Sequence, residues 1–258
     1  MNQWIKTESE LDALRESGAR LAGVMKAVGE LARPGISTGE IGDRVDALIR
    51  AEGGVPVFKG YGAESGHPFP AAACVSINDE IVHGIPSPER LLRDGDLLKV
   101  DMGMRFAGMV SDMARTFPVG RLSDEAERLL KTTKDALDSG ISVIRFGARL
   151  SDFARAVQGH AEQAGYSVVR DLVGHGVGRE LHEDPQIPNY FVQGMENFSF
   201  RKGMTVALEP MVNAGHFAIR VAPDGWTYLT KDGGLSAHFE DTIIVLEHGA
   251  EIVTRLKS

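Results

Sequence analysis

Two aspartates, Asp101 and Asp112, each interrupt an otherwise apolar stretch running from Leu97 to Phe117. If that stretch folds back as a hairpin around Phe106-Ala107, the two carboxylates fall directly opposite each other on one face, with Cβ atoms about 4.5 to 5.5 Å apart. Two carboxylates that close in a partly buried site cannot both stay ionised without a counter-charge. A shared proton, a basic side chain or a metal ion would each supply it. A solvated acidic pair on an edge hairpin is the ordinary alternative, and the apolar flanks argue against it.

Further chemistry-bearing residues sit in similar settings. Glu209 closes the apolar run Met204-Thr205-Val206-Ala207-Leu208 and precedes Pro210, while Glu240 stands just ahead of the strand-like run Thr242-Ile243-Ile244-Val245-Leu246. A carboxylate buried at a strand end needs a partner. His175 lies in Gly174-His175-Gly176-Val177-Gly178, where the glycines let the backbone approach closely and leave the imidazole free, and His182 follows seven residues later. Each residue alone has a plain structural explanation; the set is what points to chemistry. Four carboxylates and one imidazole, with no thiolate, form a hard, oxygen-rich donor set suited to a pair of divalent first-row ions. Such a pair can activate water and polarise a carbonyl, the equipment for hydrolysing an amide.

The elements that must position these residues are legible in outline. Leu11, Leu14, Leu21, Val24, Met25 and Val28 follow helical spacing from Glu8 to about Leu31, and Pro34-Gly35 stops the run. Ser37-Thr38-Gly39-Glu40 reads as a capping box opening a second helix that ends near Gly53-Gly54. Strand-like and turn segments fill Ala71 to Phe117, a third helix starts after Ser123, and a fourth runs from Ser151-Asp152 to near Gly165. At a constant offset of 112 residues, Arg33, Gly35, Glu40, Ile41, Val45 and Gly53 align with Arg145, Gly147, Asp152, Phe153, Val157 and Gly165. The expected fold is therefore α+β, a duplicated helix-helix-sheet unit with sheet-like segments after both copies. Residues 1–258 are read as one pseudo-symmetric domain with halves of about 1–120 and 121–258.

Composition narrows the class. A hydrophobic content of 43% and a charged content of 25% are those of an ordinary globular protein, and no apolar run approaches the roughly 18 residues of a membrane span. The start, Met1-Asn2-Gln3-Trp4-Ile5-Lys6, lacks the basic-then-apolar layout of a secretion signal, so a cytoplasmic location is expected. The single cysteine, Cys74, excludes an internal disulfide and a multi-thiolate zinc module. A net charge of −8 argues against DNA or another nucleic-acid backbone as the main partner.

Taken together and in this order, the residues resemble the type I methionine aminopeptidases within the wider creatinase and aminopeptidase family. The likeness spans nearly the whole chain through Lys6-Thr7, the segment Arg33 to Glu40, Ser76-Ile77-Asn78-Asp79-Glu80-Ile81-Val82-His83-Gly84-Ile85-Pro86, Gly174 to Gly178, His182-Glu183-Asp184-Pro185 and Glu209-Pro210-Met211. The resemblance implies the duplicated "pita-bread" fold and five metal ligands, Asp101, Asp112, His175, Glu209 and Glu240, holding two divalent ions drawn from cobalt, manganese, iron or zinc. It implies Glu209 as proton acceptor as well as ligand, His182 bonded to the substrate carbonyl or oxyanion, and His83 near the leaving nitrogen. It further implies one monovalent cation near Asn78, Glu80 and Ser236. The implied substrates are amino termini of nascent polypeptides and peptides with a small second residue. A monomeric state and a transient ribosome contact go with them.

Tyr61, Phe69, Cys74, His83 and Trp226 fall where the family lines its methionine pocket, and sulfur packs favourably against aromatic edges. The pattern departs at Leu181, where bacterial relatives commonly carry an aromatic residue, and between Gly62 and Pro70, where the loop is several residues longer and contains His67. An aminopeptidase of this fold with another side-chain preference is the nearest alternative. A proline-specific relative would usually add a large amino-terminal domain. A type II methionine enzyme would insert a long segment between its glutamate ligands, whereas Glu209 and Glu240 are 31 positions apart. A non-catalytic binding protein of this fold would have lost ligands, and none is lost.

Overall fold

The computed structural model describes residues 4–256, so Met1, Asn2 and Gln3 of the amino-terminal stretch lie outside the described residues. In the first half, α1 (Glu8–Gly29) and α2 (Thr38–Ala51) precede β1 (Val55–Pro56), β2 (Cys74–Ile77), β3 (Glu80–Val82), β4 (Leu97–Phe106) and β5 (Met109–Pro118). In the second, α3 (Asp124–Ser142) and α4 (Leu150–Gln163) precede β6 (Ser167–Val168), β7 (Gly174–Gly176), β8 (Glu183–Ile187), β9 (Thr205–Leu208) and β10 (Met211–Asn213). The chain continues through β11 (Ile219–Val221), β12 (Tyr228–Thr230), β13 (Ser236–His238), β14 (Glu240–Leu246) and β15 (Gly249–Ile252). The four helices agree with the expected spans to within a turn.

Their ends have identifiable causes. Ser37 Oγ accepts the Glu40 N–H at 3.1 Å while Glu40 accepts the Ser37 N–H at 2.9 Å, and Thr7 with Glu10 forms the same reciprocal box on α1. Caps of this kind stabilise a helix by about 1 kcal/mol.

The main sheet runs β1-β4-β5-β14-β9-β7-β8, with β2 along β4 and β15 along β14. Its order is palindromic about the antiparallel β5–β14 pair, with β4 and β2 mirrored by β9 and β7. The alignment at an offset of 112 residues has a structural counterpart. Gly35 and Gly147 both take positive φ and donate at 2.9 Å to Leu92 and Phe200, and the isolated bridges Ser37–Leu91 and Arg149–Ser199 repeat one another.

Strand alternation sends one face to the helices and the other to the site. Val100, Met102, Met104 and Met113 pack with Leu21, Val28, Ile41 and Val45 of α1 and α2, and Val206, Leu208, Ile243 and Val245 pack with Leu137, Phe153 and Val157 of α3 and α4. Asp101, Asp112, Ala207 and Glu240 are therefore on the opposite face.

The hairpin register differs from the expected one. β4 and β5 turn on Ala107-Gly108, with φ of 48° and 84°, so Gly103 pairs with Asp112 and Asp101 with Ala114. A two-residue turn of this kind needs left-handed backbone at both positions, which glycine adopts without penalty and Phe106 would not. Asp101 and Asp112 are consequently diagonal rather than directly opposite. A slip of two positions keeps both on one face, so their convergence survives.

Candidate metal centre

Five elements bring the acids and the imidazole together. Asp101 comes from β4, Asp112 from β5, Glu240 from the start of β14, Glu209 from the residue after β9, and His175 from the middle of β7. Ligand atoms of Asp112, His175 and Glu240 all lie within 4.8 Å of one another. His175 Nε2 is also 3.4 Å from Glu209 Oε1 and 3.9 Å from Asp112 Oδ2. Glycine flanks are required at His175, because a Cβ on Gly174 would meet the Ala207 carbonyl at 2.5 Å and one on Gly176 the Asp184 carbonyl at 2.3 Å. The β5 backbone is anchored at Asp112 by Thr242 Oγ1, which accepts the Asp112 N–H at 2.9 Å and donates to its carbonyl at 2.8 Å.

The donor set fits divalent cations. Asp112 and Glu240 are 3% and 2% exposed, and Asp101 Oδ1, Asp112 Oδ1 and Glu240 Oε1 are buried without a hydrogen-bond partner. Buried carboxylate oxygens left without partners are costly unless a cation takes their charge. Among the described residues no lysine or arginine ion-pairs with these acids; the imidazoles of His175 and His238 approach them at 3.4 to 3.9 Å. The His175 imidazole is prepared as a ligand: Nδ1–H donates to the Gly176 carbonyl at 2.9 Å, leaving the Nε2 lone pair facing the acids. Burial, aided by His182, pushes its pKa down to about 3, so the ring is neutral.

Without cations, burial and mutual repulsion push the acids toward their protonated forms. Burial first, then the charges of Asp112 and Glu209, raises Asp101 well above the carboxylate range, and burial with Asp112 does the same to Glu209. Glu240 is raised by burial and by the other three acids, and burial lifts Asp112 to about 7. Metal ligation requires the deprotonated forms, so uptake of a divalent ion at neutral pH must expel protons and weaken as pH falls. Calorimetric titration with Mn²⁺ in two buffers of different ionisation enthalpy should show release of about one proton or more per centre near pH 7. Zero release, with affinity unchanged on acidification, would contradict the assignment.

The centre forms the floor of a cavity whose walls include Phe58, Tyr61, Phe69, Cys74, His83, Leu181, His182 and Trp226. All five expected pocket residues therefore line it, joined by Phe58, which has no distinguishing pattern in the sequence. Phe69 and Trp226 meet edge to face at 5.3 Å, and His67 of the longer loop stacks on Trp226 and bonds to the Asp224 carbonyl at 2.9 Å. The Cys74 thiol, pushed up by burial and by Asp101, Asp112 and Glu240, is a neutral wall element.

His182 stands at the mouth, its Nδ1 2.5 Å from the Tyr61 hydroxyl and its ring 4.4 Å from that of His175. Its loop is pinned by Glu183, which accepts from buried Lys6 Nζ at 2.7 Å and from the Arg179 and Glu180 amides at 2.6 and 3.0 Å. His83, in left-handed backbone at φ 58°, contacts Trp226 and Tyr228, and burial lowers its pKa to about 4. His238 is not among the residues expected at the site. It is fully buried with both ring nitrogens unpartnered, and its Nε2 lies 3.9 Å from Glu209 Oε2. Its position two residues before Glu240 was the available signal.

At the expected monovalent site stands a lysine amine. The Asn78 and Ser236 carbonyls both accept from Lys99 Nζ at 2.9 Å, and the Glu80 carboxylate is engaged by the Ile77 N–H and by Arg90. Burial draws the Lys99 amine down to about 7 against the upward pull of Glu80, Asp79 and Asp96. In either protonation state its N–H groups donate to these two oxygens.

Comparison with known proteins extends these observations. The model of metallopeptidase family M24 matches residues 12–247. Methionine aminopeptidase 1 of Bacillus subtilis is 43% identical over 253 residues, covering 97% of this chain and 98% of the relative, and the methionine aminopeptidase of Clostridium perfringens is 42% identical over 254 residues, covering 98% and 99%. The solved structure of a methionine aminopeptidase from Thermotoga maritima superposes with a TM-score of 0.93 at 41% identity, covering 97% of this chain and 98% of that one. Prolidase from Pyrococcus furiosus shares the fold alone, at 20% identity and a TM-score of 0.76, with 99% of this chain matching 66% of the larger protein.

Proposed function

Because the chain belongs to metallopeptidase family M24, a family of hydrolases, we propose that it removes amino-terminal methionine from peptides and nascent proteins whose second residue is small. The observation that carries the reading is the convergence of buried Asp112, His175 and Glu240 at the floor of an apolar-walled cavity. Asp101, Asp112, His175, Glu209 and Glu240 are read as holding two divalent ions among cobalt, manganese, iron and zinc. When bound, the ions supply Lewis acidity toward the scissile carbonyl and lower the pKa of water.

The chain's own residues do the rest. Glu209, at the rim of the acid cluster, accepts the proton of the attacking water at its carboxylate and returns it to the departing nitrogen. His182 presents a ring N–H to the carbonyl oxygen as negative charge develops there, and His83 lies close to the leaving nitrogen. Tyr61, Phe69, Cys74 and Trp226 exclude water from the first side chain. Residues 1–258 act as one unit, the first half supplying Asp101 and Asp112 and the second His175, Glu209 and Glu240. The same reading has it working as a cytoplasmic monomer, meeting nascent chains through transient ribosome contact.

A peptide panel varied at its first two positions, with metal content measured on the same sample, tests the proposal. Met-Gly and Met-Ala peptides should be cleaved about 10- to 100-fold faster than Leu- or Val-initiated ones, the discrimination an apolar pocket can deliver. Preferred cleavage before proline, or inactivity with both ions bound, would overturn it.

A further inference from the structure

Lys99 enters the site face of β4 two residues before Asp101 and is 2% exposed. Its amino group reaches across the domain to two backbone oxygens, Asn78 O in the β2–β3 turn and Ser236 O at the start of β13, both at 2.9 Å. The cage around it is built. Asn78 takes left-handed backbone at φ 54°, its side chain donates to Asp96 at 2.8 Å and accepts the Leu97 N–H at 3.0 Å, and the Ser236 N–H donates to Asn78 O at 3.0 Å.

Convergent backbone carbonyls are the ligand chemistry of a hard monovalent ion. Here both oxygens point at a nitrogen, and the volume an ion would need holds the end of the side chain. The cation implied by the family resemblance therefore does not fit this chain.

We propose that Lys99 is a tethered replacement for that ion, filling the carbonyl cage at Asn78 and Ser236 so that the protein requires neither Na⁺ nor K⁺. The amino group ties three segments that shape the centre: the strand carrying Asp101, the turn leading to His83, and the strand leading through His238 to Glu240. A covalently held donor keeps these in register at any alkali-cation concentration. The consequence for catalysis rests on the hydrolase reading above; the consequence for stability does not.

The test titrates KCl or NaCl against choline chloride at constant total salt, reading the melting temperature of divalent-free protein and the hydrolysis rate of the divalent-loaded form. The parent should respond to neither alkali ion beyond its response to choline. Lys99→Ser, which opens the cage, should melt lower in choline and recover saturably in K⁺ or Na⁺, as a ligand binding only the folded form requires. Lys99→Met, which keeps the stem volume without the N–H groups, should melt lower with no recovery.

A saturable alkali-ion rise in the parent's melting temperature or rate would overturn the proposal, as would a Lys99→Ser protein indifferent to which cation is present. Should Lys99→Ser fold in neither salt, the parent titration still decides. A parent without hydrolytic activity would sink the functional reading and leave the melting test standing.

Discussion

Asp112→Ala is expected to lower turnover of a Met-Gly-Met peptide about a thousandfold, since loss of Lewis-acid stabilisation of several kcal/mol at the scissile carbonyl is worth that much in rate. The variant should nonetheless fold. The β5 backbone is held at this position by both hydrogen bonds to Thr242 Oγ1, and among the described residues Asp112 Oδ1 has no hydrogen-bond partner. Removing one of four crowded buried acids also relieves like-charge repulsion, because the Asp112 charge raises Asp101, Glu209 and Glu240. In divalent-free buffer the variant should therefore melt no lower than the parent, while its metal content at saturation falls. Near-parental turnover at saturating metal would remove Asp112 from the centre. An early melt without metal would make its role structural.

Legibility from sequence followed how local the determinant was. The helices were readable because their capping residues, stop signals and apolar stripes all lie within a few turns of one another, as at Ser37, Glu40 and Gly53. The shared face of Asp101 and Asp112 was readable because strand alternation has a period of two, which a slip by two positions cannot disturb. Their direct opposition was not, because register hinges on which two residues accept left-handed backbone, and Ala107 does so beside Gly108. Lys99 shows the opposite limit. A lysine within an apolar strand reads as a defect, and one of the two oxygens that satisfy it lies 137 residues away at Ser236. His238 was hidden in the same way, as its contact with Glu209 is made between strands. Tyr61, Phe69, Cys74, His83 and Trp226 line one cavity, while the place of the 62–70 loop beside it shows only in the stacking of His67 on Trp226.

His182→Ala should lower kcat by about 10²- to 10³-fold, the usual consequence of losing one donor aimed at a developing oxyanion, with KM and metal content nearly unchanged. Burial lowers the His182 pKa, so the ring carries one N–H, and the Tyr61 hydroxyl 2.5 Å from Nδ1 can donate to it and leave the proton on Nε2. Tyr61→Phe keeps the ring wall but releases that constraint. Its effect should be smaller, about tenfold in kcat, as for loss of a supporting hydrogen bond behind a working group. Reading kcat, KM and bound metal on both variants separates three roles. A donor acting in the transition state moves kcat alone, a pocket wall moves KM, and a metal ligand moves metal content. If His182→Ala sheds metal, or keeps a parental kcat, the oxyanion role is wrong and Tyr61 has no catalytic proton to orient.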